Sequence, residues 1–250
     1  MSLKNYLRHQ YHAVRKVVFP PIRSGAKAEL QSYKDLHKGK KAIIIGNGPS
    51  VRLEDFGKFK DFITFGCNRF HLCYKDTDFK PTYTVCIDPK MISDFGHDIA
   101  ASCNNDLFIS SLNVAKTHVN AKYIYRHRKI PFYFSNDITE FVSNGSSVVV
   151  AAIQIAYYMG VKEIYVYGID HLFKYNSSNN YPKYAIGDKN HFIDNYRDSK
   201  NWCPPRIDEI EESFAYCYEW LKQNGVKLIN ISHKTKLDVI PKKKLAEIIK

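Results

Sequence analysis

"KKAIIIGNGPSVRLED" occupies residues 40–55. Ala42 and Ile43-Ile44-Ile45 make a continuous apolar run, the pattern of a strand buried on both faces. The run empties into Gly46-Asn47-Gly48-Pro49-Ser50, a tight glycine-rich turn. Turns of this kind let a backbone approach a phosphate closely and present N–H groups to it. Two common phosphate loops do not fit. Val51 stands where the dinucleotide fingerprint G-x-G-x-x-G needs its third glycine, and no Gly-Lys-Ser/Thr follows as a P-loop requires. Asn47 is then the informative residue, a neutral donor and acceptor suited to a phosphate oxygen or a sugar hydroxyl.

Further strands follow the same logic. "DFITFGCN" (61–68), "YTVCID" (83–88), "EIYVYGID" (163–170) and "VKLINIS" (226–232) are apolar runs ending in polar residues or glycine. "LFISS" (107–111), "KYIYR" (122–126) and "IPFYF" (130–134) are shorter strand candidates. "SSVVVAAIQIAYYMG" (146–160) predicts a helix apolar almost all round, hence buried, closed by Gly160. "IDEIEESFAYCYEWLKQNG" (207–225) predicts an amphipathic helix with acids at its start and Gly225 at its end. "PKKKLAEIIK" (241–250) predicts a terminal helix. Apolar strands alternating with helices imply an α/β, Rossmann-like, mostly parallel sheet covered by helices on both faces.

Residues 1–38 read as a basic amphipathic N-terminal helix (1–19, stopped by Pro20-Pro21) and a connector with a short helix. Residues 39–250 read as one Rossmann-like domain, in which 171–206 carries little apolar periodicity. A structureless stretch of that length is usually a lid or binding loop.

Bulk properties narrow the function. The 250 residues are 44% hydrophobic, enough for one full core. No run approaches the ~18 apolar residues of a membrane span, and no secretory signal is visible, so the expected location is the cytoplasm. The six cysteines show no C-x-x-C pair and no zinc spacing, as expected of buried free thiols. Net charge is +12, with Lys4, Arg8, Arg15, Lys16, Arg23 and Lys27 unopposed by any acid up to residue 28. No nucleic-acid module accompanies the charge. An anionic membrane surface at the inner face is the expected contact, with a plain solvated face as the alternative. The sequence is also compatible with a homo-oligomer.

Ligands in parallel sheets bind beyond the carboxyl ends of the strands. Four strand ends carry chemistry: the Gly46–Ser50 turn, Asn68-Arg69, Asp88 and Gly168-Ile169-Asp170-His171. Arg69 offers a two-pronged cation for phosphate. Asp88 and Asp170 could take ribose hydroxyls, a metal or a proton, but form no D-x-D pair. His171 and His191 are the candidate bases, and His191 is preferred for its polar and aromatic setting, "KNHFIDNYRD".

"IIIGNGPS", "FGCNRF" and "SNGSSVVVAAIQIAYYMGVKEIYVYGID" together resemble the bacterial sialyltransferases of glycosyltransferase family 42. The same outline is similar to the motility-associated factor proteins of flagellin glycosylation and to an archaeal 6-hydroxymethylpterin diphosphokinase. The resemblance implies a nucleotide-activated, CMP-linked donor and an inverting transfer with no metal and no cofactor, moving a sialic-acid-like or other nonulosonate sugar to a glycan or glycolipid acceptor. It implies that Asn47 and Ser50 contact the nucleotide phosphate and that Asn68 holds the phosphate or the donor sugar; Gly46, Gly48, Arg69 and Asp88, read from the strand ends, complete the expected nucleotide-binding set, with Arg69 standing where that family has Gln. Gly145, Ser146 and Ser147 would line the nucleotide, with Gly168 and Asp170 by its ribose. His191 would be the base, and Tyr175, Tyr181 and Tyr184 would hold the leaving phosphate. The alternatives are an ATP- and Mg²⁺-dependent pterin diphosphokinase with Asp88 and Asp170 as ligands, or a non-catalytic sugar-nucleotide-binding protein.

Overall fold

A computed structural model describes residues 24–103, 105–110, 121–127, 132–173, 190–200 and 205–249. The chain runs through α1 (Ser24–Gln31), β1 (Lys41–Ile45), a 3-10 turn at Leu53–Phe59, β2 (Ile63–Cys67), a second 3-10 turn at Phe70–Lys75 and β3 (Tyr83–Cys86). It continues through α2 (Pro89–Ser102), β4 (Asp106–Ser110), β5 (Lys122–Ile124), β6 (Arg126–His127), β7 (Val142–Ser143) and α3 (Val148–Tyr158). It ends with β8 (Glu163–Tyr167), α4 (Ile207–Gln223), β9 (Lys227–Asn230) and α5 (Leu245–Ile248).

Seven strands form one parallel sheet in the order β5-β4-β3-β2-β1-β8-β9. The α/β, Rossmann-like class expected from the sequence is the class observed. β1 pairs with β2 on one side, Ile44 opposite Phe65, and with β8 on the other, Ile44 opposite Val166. The strand order reverses there, so the sheet opens a crevice between the ends of β1 and β8.

The isoleucine run is buried because both faces of β1 are covered. Ala42 and Ile44 join the cluster under α3 and α4, while Ile43 and Ile45 join a second cluster with Phe56, Phe59 and Tyr167. α3 crosses β1, β2, β3 and β8 and buries Val149 to Ile153, Ile155 and Ala156, which is why its sequence shows no polar face. α4 shows the amphipathic pattern and buries Ile210, Phe214, Cys217 and Leu221. Leu30 and Tyr33 belong to the main core, so the end of α1 and the residues after it pack on the sheet.

The predicted elements hold with shifted ends, except that "KYIYR" breaks at Tyr125 into β5 of the seven-stranded sheet and β6, which pairs with β7, and that two further segments differ. "IPFYF" forms no strand over its described residues, 132–134. Its aromatics pack on α4 instead: Phe134 stacks on Trp220 with centroids 4.1 Å apart, and Phe132 meets Tyr216 edge-on. The second difference is α2, which the sequence reading left unassigned. Its signals are Asp88 as N-cap, Pro89 in the first turn, and Met91, Ile92, Phe95 and Ile99 on one buried stripe. The terminal helix is confined to Leu245–Ile248. The basic helix expected over 1–19 lies outside the described residues.

Among the described residues, the thiols of Cys67, Cys73, Cys86 and Cys217 are buried, and Cys103 is half-buried. Burial pushes the Cys67 and Cys73 thiols up to about 12, so they remain protonated at neutral pH.

Candidate functional site

A cavity of about 450 Å³ sits at the crevice, beyond the carboxyl ends of β1, β2, β3 and β8. Its wall is built first from the Gly46–Pro49 turn, which lies directly on the Gly168-Ile169-Asp170 turn. A Cβ at Gly48 would stand 2.6 Å from the Gly168 carbonyl oxygen and 2.8 Å from the Asp170 carboxyl. A Cβ at Gly46 would stand 2.7 Å from the same carbonyl oxygen. The glycines are therefore required by the crossing of two backbones as well as by any ligand. Two hydrogen bonds seal the crossing: Gly46 N–H donates to Tyr167 O at 2.8 Å and Gly48 N–H to Gly168 O at 2.9 Å.

Asp170, only 5% exposed, faces this turn. The Ser50 backbone N–H donates to its Oδ2 at 2.7 Å and the Ser50 hydroxyl to its Oδ1. Burial raises the Asp170 carboxyl above the usual carboxylate range, and the bonds from Ser50 oppose that rise. Asp170 lines the cavity, while Ser50 does not.

Asn47 and Asn68 both line the floor of the cavity. Asn47 Nδ2 donates to Cys67 O at 2.9 Å and to the Tyr196 hydroxyl at 3.2 Å. Asn68 is held at φ 53, the left-handed region that asparagine tolerates better than most residues. The Oδ1 atoms of both are buried without a hydrogen-bond partner. Each such acceptor costs ~1–3 kcal/mol until a donor arrives. Gly145, Ser146, Gly168 and His171 also have positive φ, so left-handed residues gather around this one cavity.

The third wall is the entry to α3. The Ser147 hydroxyl caps the helix by accepting from Val149 N–H, and Ser146 to Val149 line the cavity at the positive end of the helix dipole. Gly145 lies behind this wall, its carbonyl accepting from the Ser213 hydroxyl at 2.8 Å. Arg126, at the start of β6, donates from Nε to Asn144 Oδ1 at 2.9 Å and faces the cavity. Burial lowers the Arg126 guanidinium from its ordinary value and Asp88 opposes that. Lys90, Arg197 and Arg206 also reach the lining, Lys90 and Arg197 sharing Asp94 and Arg206 pairing with Glu209, beside the carboxylates of Asp88 and Asp170. An apolar flank comes from Leu172, Phe173, Pro205, Ile210 and Phe214.

Asp88 and Arg69 carry structural roles beside the ones expected of them. Asp88 reaches the cavity, but its Oδ1 is committed to the N–H groups of Lys90 and Met91, at 2.8 and 3.3 Å. It is the N-cap of α2. Arg69 is 7% exposed and absent from the lining. Its Nη1 donates to Tyr196 O at 2.6 Å, its Nη2 pairs with Asp98 at 3.3 Å, and the guanidinium lies 3.8 Å over Phe95. It braces the wall from behind.

His191 lines the cavity and stacks on Tyr196. His171 lines it too, with Nε2 3.0 Å from Glu211 Oε1. Tyr175, Tyr181 and Tyr184 lie outside the described residues. Among the described residues, no group of three His, Cys, Asp or Glu side chains is arranged to hold a metal, and no helix is long and apolar enough to cross a membrane.

Sequence reasoning passed over Arg126 and Tyr196. Arg126 ends "KYIYR", and the rule that ligands sit at strand ends would have found it. Tyr196 had no such signal, since its burial comes from contacts distant in sequence.

The fold is shared with the MAf glycosyltransferase from Magnetospirillum magneticum AMB-1. The two align with a TM-score of 0.53 at 12% identity, over 90% of this chain and 38% of that one. This chain thus spans 38% of that protein's length. The sialyltransferase CstII from Campylobacter jejuni, solved with a substrate analogue, cytidine-5'-monophosphate, aligns with a TM-score of 0.48 at 16% identity, over 82% of this chain and 85% of that one. No curated protein matches the sequence. The profile of one family matches residues 20–176, which carry β1 to β8, both asparagines of the floor and the Gly168-Ile169-Asp170 turn, and the chain belongs to that family, the 6-hydroxymethylpterin diphosphokinase MptE-like proteins.

Proposed function

We propose that the protein is an inverting glycosyltransferase that takes a sugar from a nucleotide-activated donor. The supporting observation is the chemistry of one cavity: two buried asparagine oxygens short of donors, beside a positively charged wall at a helix start. Acceptors short of donors suit hydroxyls, of a sugar or a ribose. Cations and a helix N-terminus suit the phosphate between them. The apolar flank from Ile210, Phe214 and Phe173 suits a base.

In this reaction His191 takes the proton of the acceptor hydroxyl. The acceptor oxygen forms its bond to the anomeric carbon as the bond from that carbon to the phosphate oxygen breaks. The electron pair leaves with the phosphate, whose charge is met by Arg126 and Lys90. On the motif resemblance, the donor is CMP-linked, the sugar is a nonulosonate and the acceptor is a glycan or glycolipid. The work would be surface-polysaccharide synthesis at the cytoplasmic side, with residues 1–28 touching anionic lipid. No metal or cofactor is required by these steps.

A second reading follows from the family's name: an ATP-dependent diphosphokinase. It needs carboxylates for Mg²⁺. Both Asp170 oxygens accept from Ser50 and one Asp88 oxygen from α2, so each would ligate through its remaining lone pairs, with the hydrogen bonds orienting it.

A thermal-shift panel of CMP, CDP, UDP, GDP and ATP, with and without Mg²⁺, separates the two. At ~100 times its dissociation constant a ligand adds ~2.7 kcal/mol, or roughly 5–10 °C for a chain of this size. Stabilisation by CMP without Mg²⁺ is expected; stabilisation by ATP with Mg²⁺ alone would transfer the assignment to the diphosphokinase.

A further inference from the structure

Tyr196 is 1% exposed, although it belongs to the stretch with the least apolar pattern in the sequence. Its ring lies flat against His191, centroids 3.7 Å apart and planes 11° from parallel. Its hydroxyl oxygen accepts from Asn47 Nδ2 at 3.2 Å and from the Arg69 backbone N–H at 3.4 Å. Its carbonyl accepts from Arg69 Nη1 at 2.6 Å. One residue therefore touches the turn after β1, the turn after β2 and the imidazole.

The consequence for Asn47 is chemical. A side-chain amide has two N–H hydrogens and one oxygen. Here the nitrogen serves two acceptors, Cys67 O and the Tyr196 hydroxyl. With the nitrogen so engaged, the amide cannot turn over, and the oxygen is the end left for a donor. The consequence for His191 is steric. A ring stacked at 3.7 Å restricts rotation of the imidazole about its own bonds. The neighbouring backbone is fixed as well, because Phe192 N–H donates to Asn47 O at 3.0 Å and Arg197 pairs with Asp94 at 2.9 Å.

We propose that Tyr196 is a positioning residue: its ring sets the plane of His191 and its hydroxyl sets the orientation of Asn47, so that the base side and the donor side of the cavity are aligned by one side chain. The part concerning catalysis rests on the glycosyltransferase reading above; the part concerning geometry does not.

The test compares Tyr196→Phe, which keeps the ring and removes the hydroxyl, with Tyr196→Leu, which removes both. Tyr196→Met carries the second test if the leucine variant does not fold. In the free protein, NMR of labelled histidine should show His191 ring protons shifted upfield in wild type and in Tyr196→Phe, and not in Tyr196→Leu. Assignment comes from loss of the signal in His191→Gln. In CMP titrations, Tyr196→Phe should bind about 2- to 10-fold more weakly, the scale of one hydrogen bond. In turnover, Tyr196→Leu should lose kcat at least tenfold more than Tyr196→Phe does. Wild-type ring shifts in Tyr196→Leu would overturn the stacking role. Wild-type CMP affinity in Tyr196→Phe would overturn the hydroxyl's role. Failure of wild type itself to bind CMP would sink the donor reading, and the ring shifts would still decide the geometry.

Discussion

Gly48→Ala tests whether the GNGPS turn is shaped by the backbone it lies on. The new methyl carbon would stand 2.6 Å from the Gly168 carbonyl oxygen and 2.8 Å from the Asp170 Cγ and Oδ1, well inside the 3.4 Å where ordinary contact begins. Two of these atoms belong to a carboxylate held by Ser50 and one to the backbone of β8's turn, so none is the loose end of a flexible chain. The two turns must part. Overpacking of this kind costs ~1–3 kcal/mol. Stretching the Ser50–Asp170 bonds adds part of the ~1.5–3 kcal/mol that a hydrogen bond to a charged group contributes. The total is about 2–5 kcal/mol, which lowers the unfolding midpoint by roughly 5–15 °C in a chain of this length. Differential scanning fluorimetry measures it, with Gly57→Ala as control. Gly57 has nothing within 4 Å of its would-be Cβ and lies outside the positive-φ set, so the alanine there should be neutral or stabilise by up to ~1 kcal/mol. Nucleotide affinity should fall in Gly48→Ala and stay unchanged in Gly57→Ala. A Gly48→Ala midpoint within about 2 °C of wild type would refute the claim that the crossing of the two turns dictates the glycine.

The other expectations concern charge and catalysis. Asp55 is 2% exposed; burial disfavours its charge, but bonds from Lys58, His233 and Tyr167 outweigh that and hold its carboxyl below the ordinary 3.8. The unfolded chain then binds the proton more tightly, so this contribution is complete above pH 3.8 and lost as pH falls further. Asp55→Asn should cost about 2–4 kcal/mol at pH 7, and the gap to wild type should narrow in urea titrations below pH 4; a constant gap would remove the ionised network. His191→Ala should lower turnover by ~10²–10⁴ with the unfolding midpoint little changed, and near-normal turnover would take the base role from His191.

The parts of the fold visible in the sequence were those carried by local pattern. Strands β1 to β3, β8 and β9, and helices α3 and α4, each announce themselves through apolar runs or 3.6-residue spacing. Strand-end chemistry then located Asn47, Asn68 and Asp170. Helix α2 is hidden because Asp88-Pro89 at a strand end reads as a functional carboxylate beside a turn, although the same two residues are a helix start. Phe132 and Phe134 have the composition of a strand, and only the aromatic surface of α4 decides otherwise. Arg69 sits at a strand end, where cations often meet ligands. Its direction is set by Tyr196, Asp98 and Phe95, none of which is near it in sequence. Long-range partners of this kind leave no local trace.

The anchoring of residues 190–200 also bears on how the chain could be divided. A cut between residues 173 and 190 separates a fragment carrying β1 to β8 and α3 from one carrying His191, Tyr196, α4, β9 and α5. The second fragment would dock through attachments that include β9 alongside β8, α4 against α3, the Arg69–Tyr196 and Asp94–Arg197 bonds, and the bonds from Phe192 to Asn47 and His233 to Asp55. The first fragment would hold Asn47, Asn68 and Arg126, and the second the imidazole. Neither piece contains a whole cavity, so nucleotide binding in a mixture of the two would report their reassembly, and the protein would serve as a complementation pair.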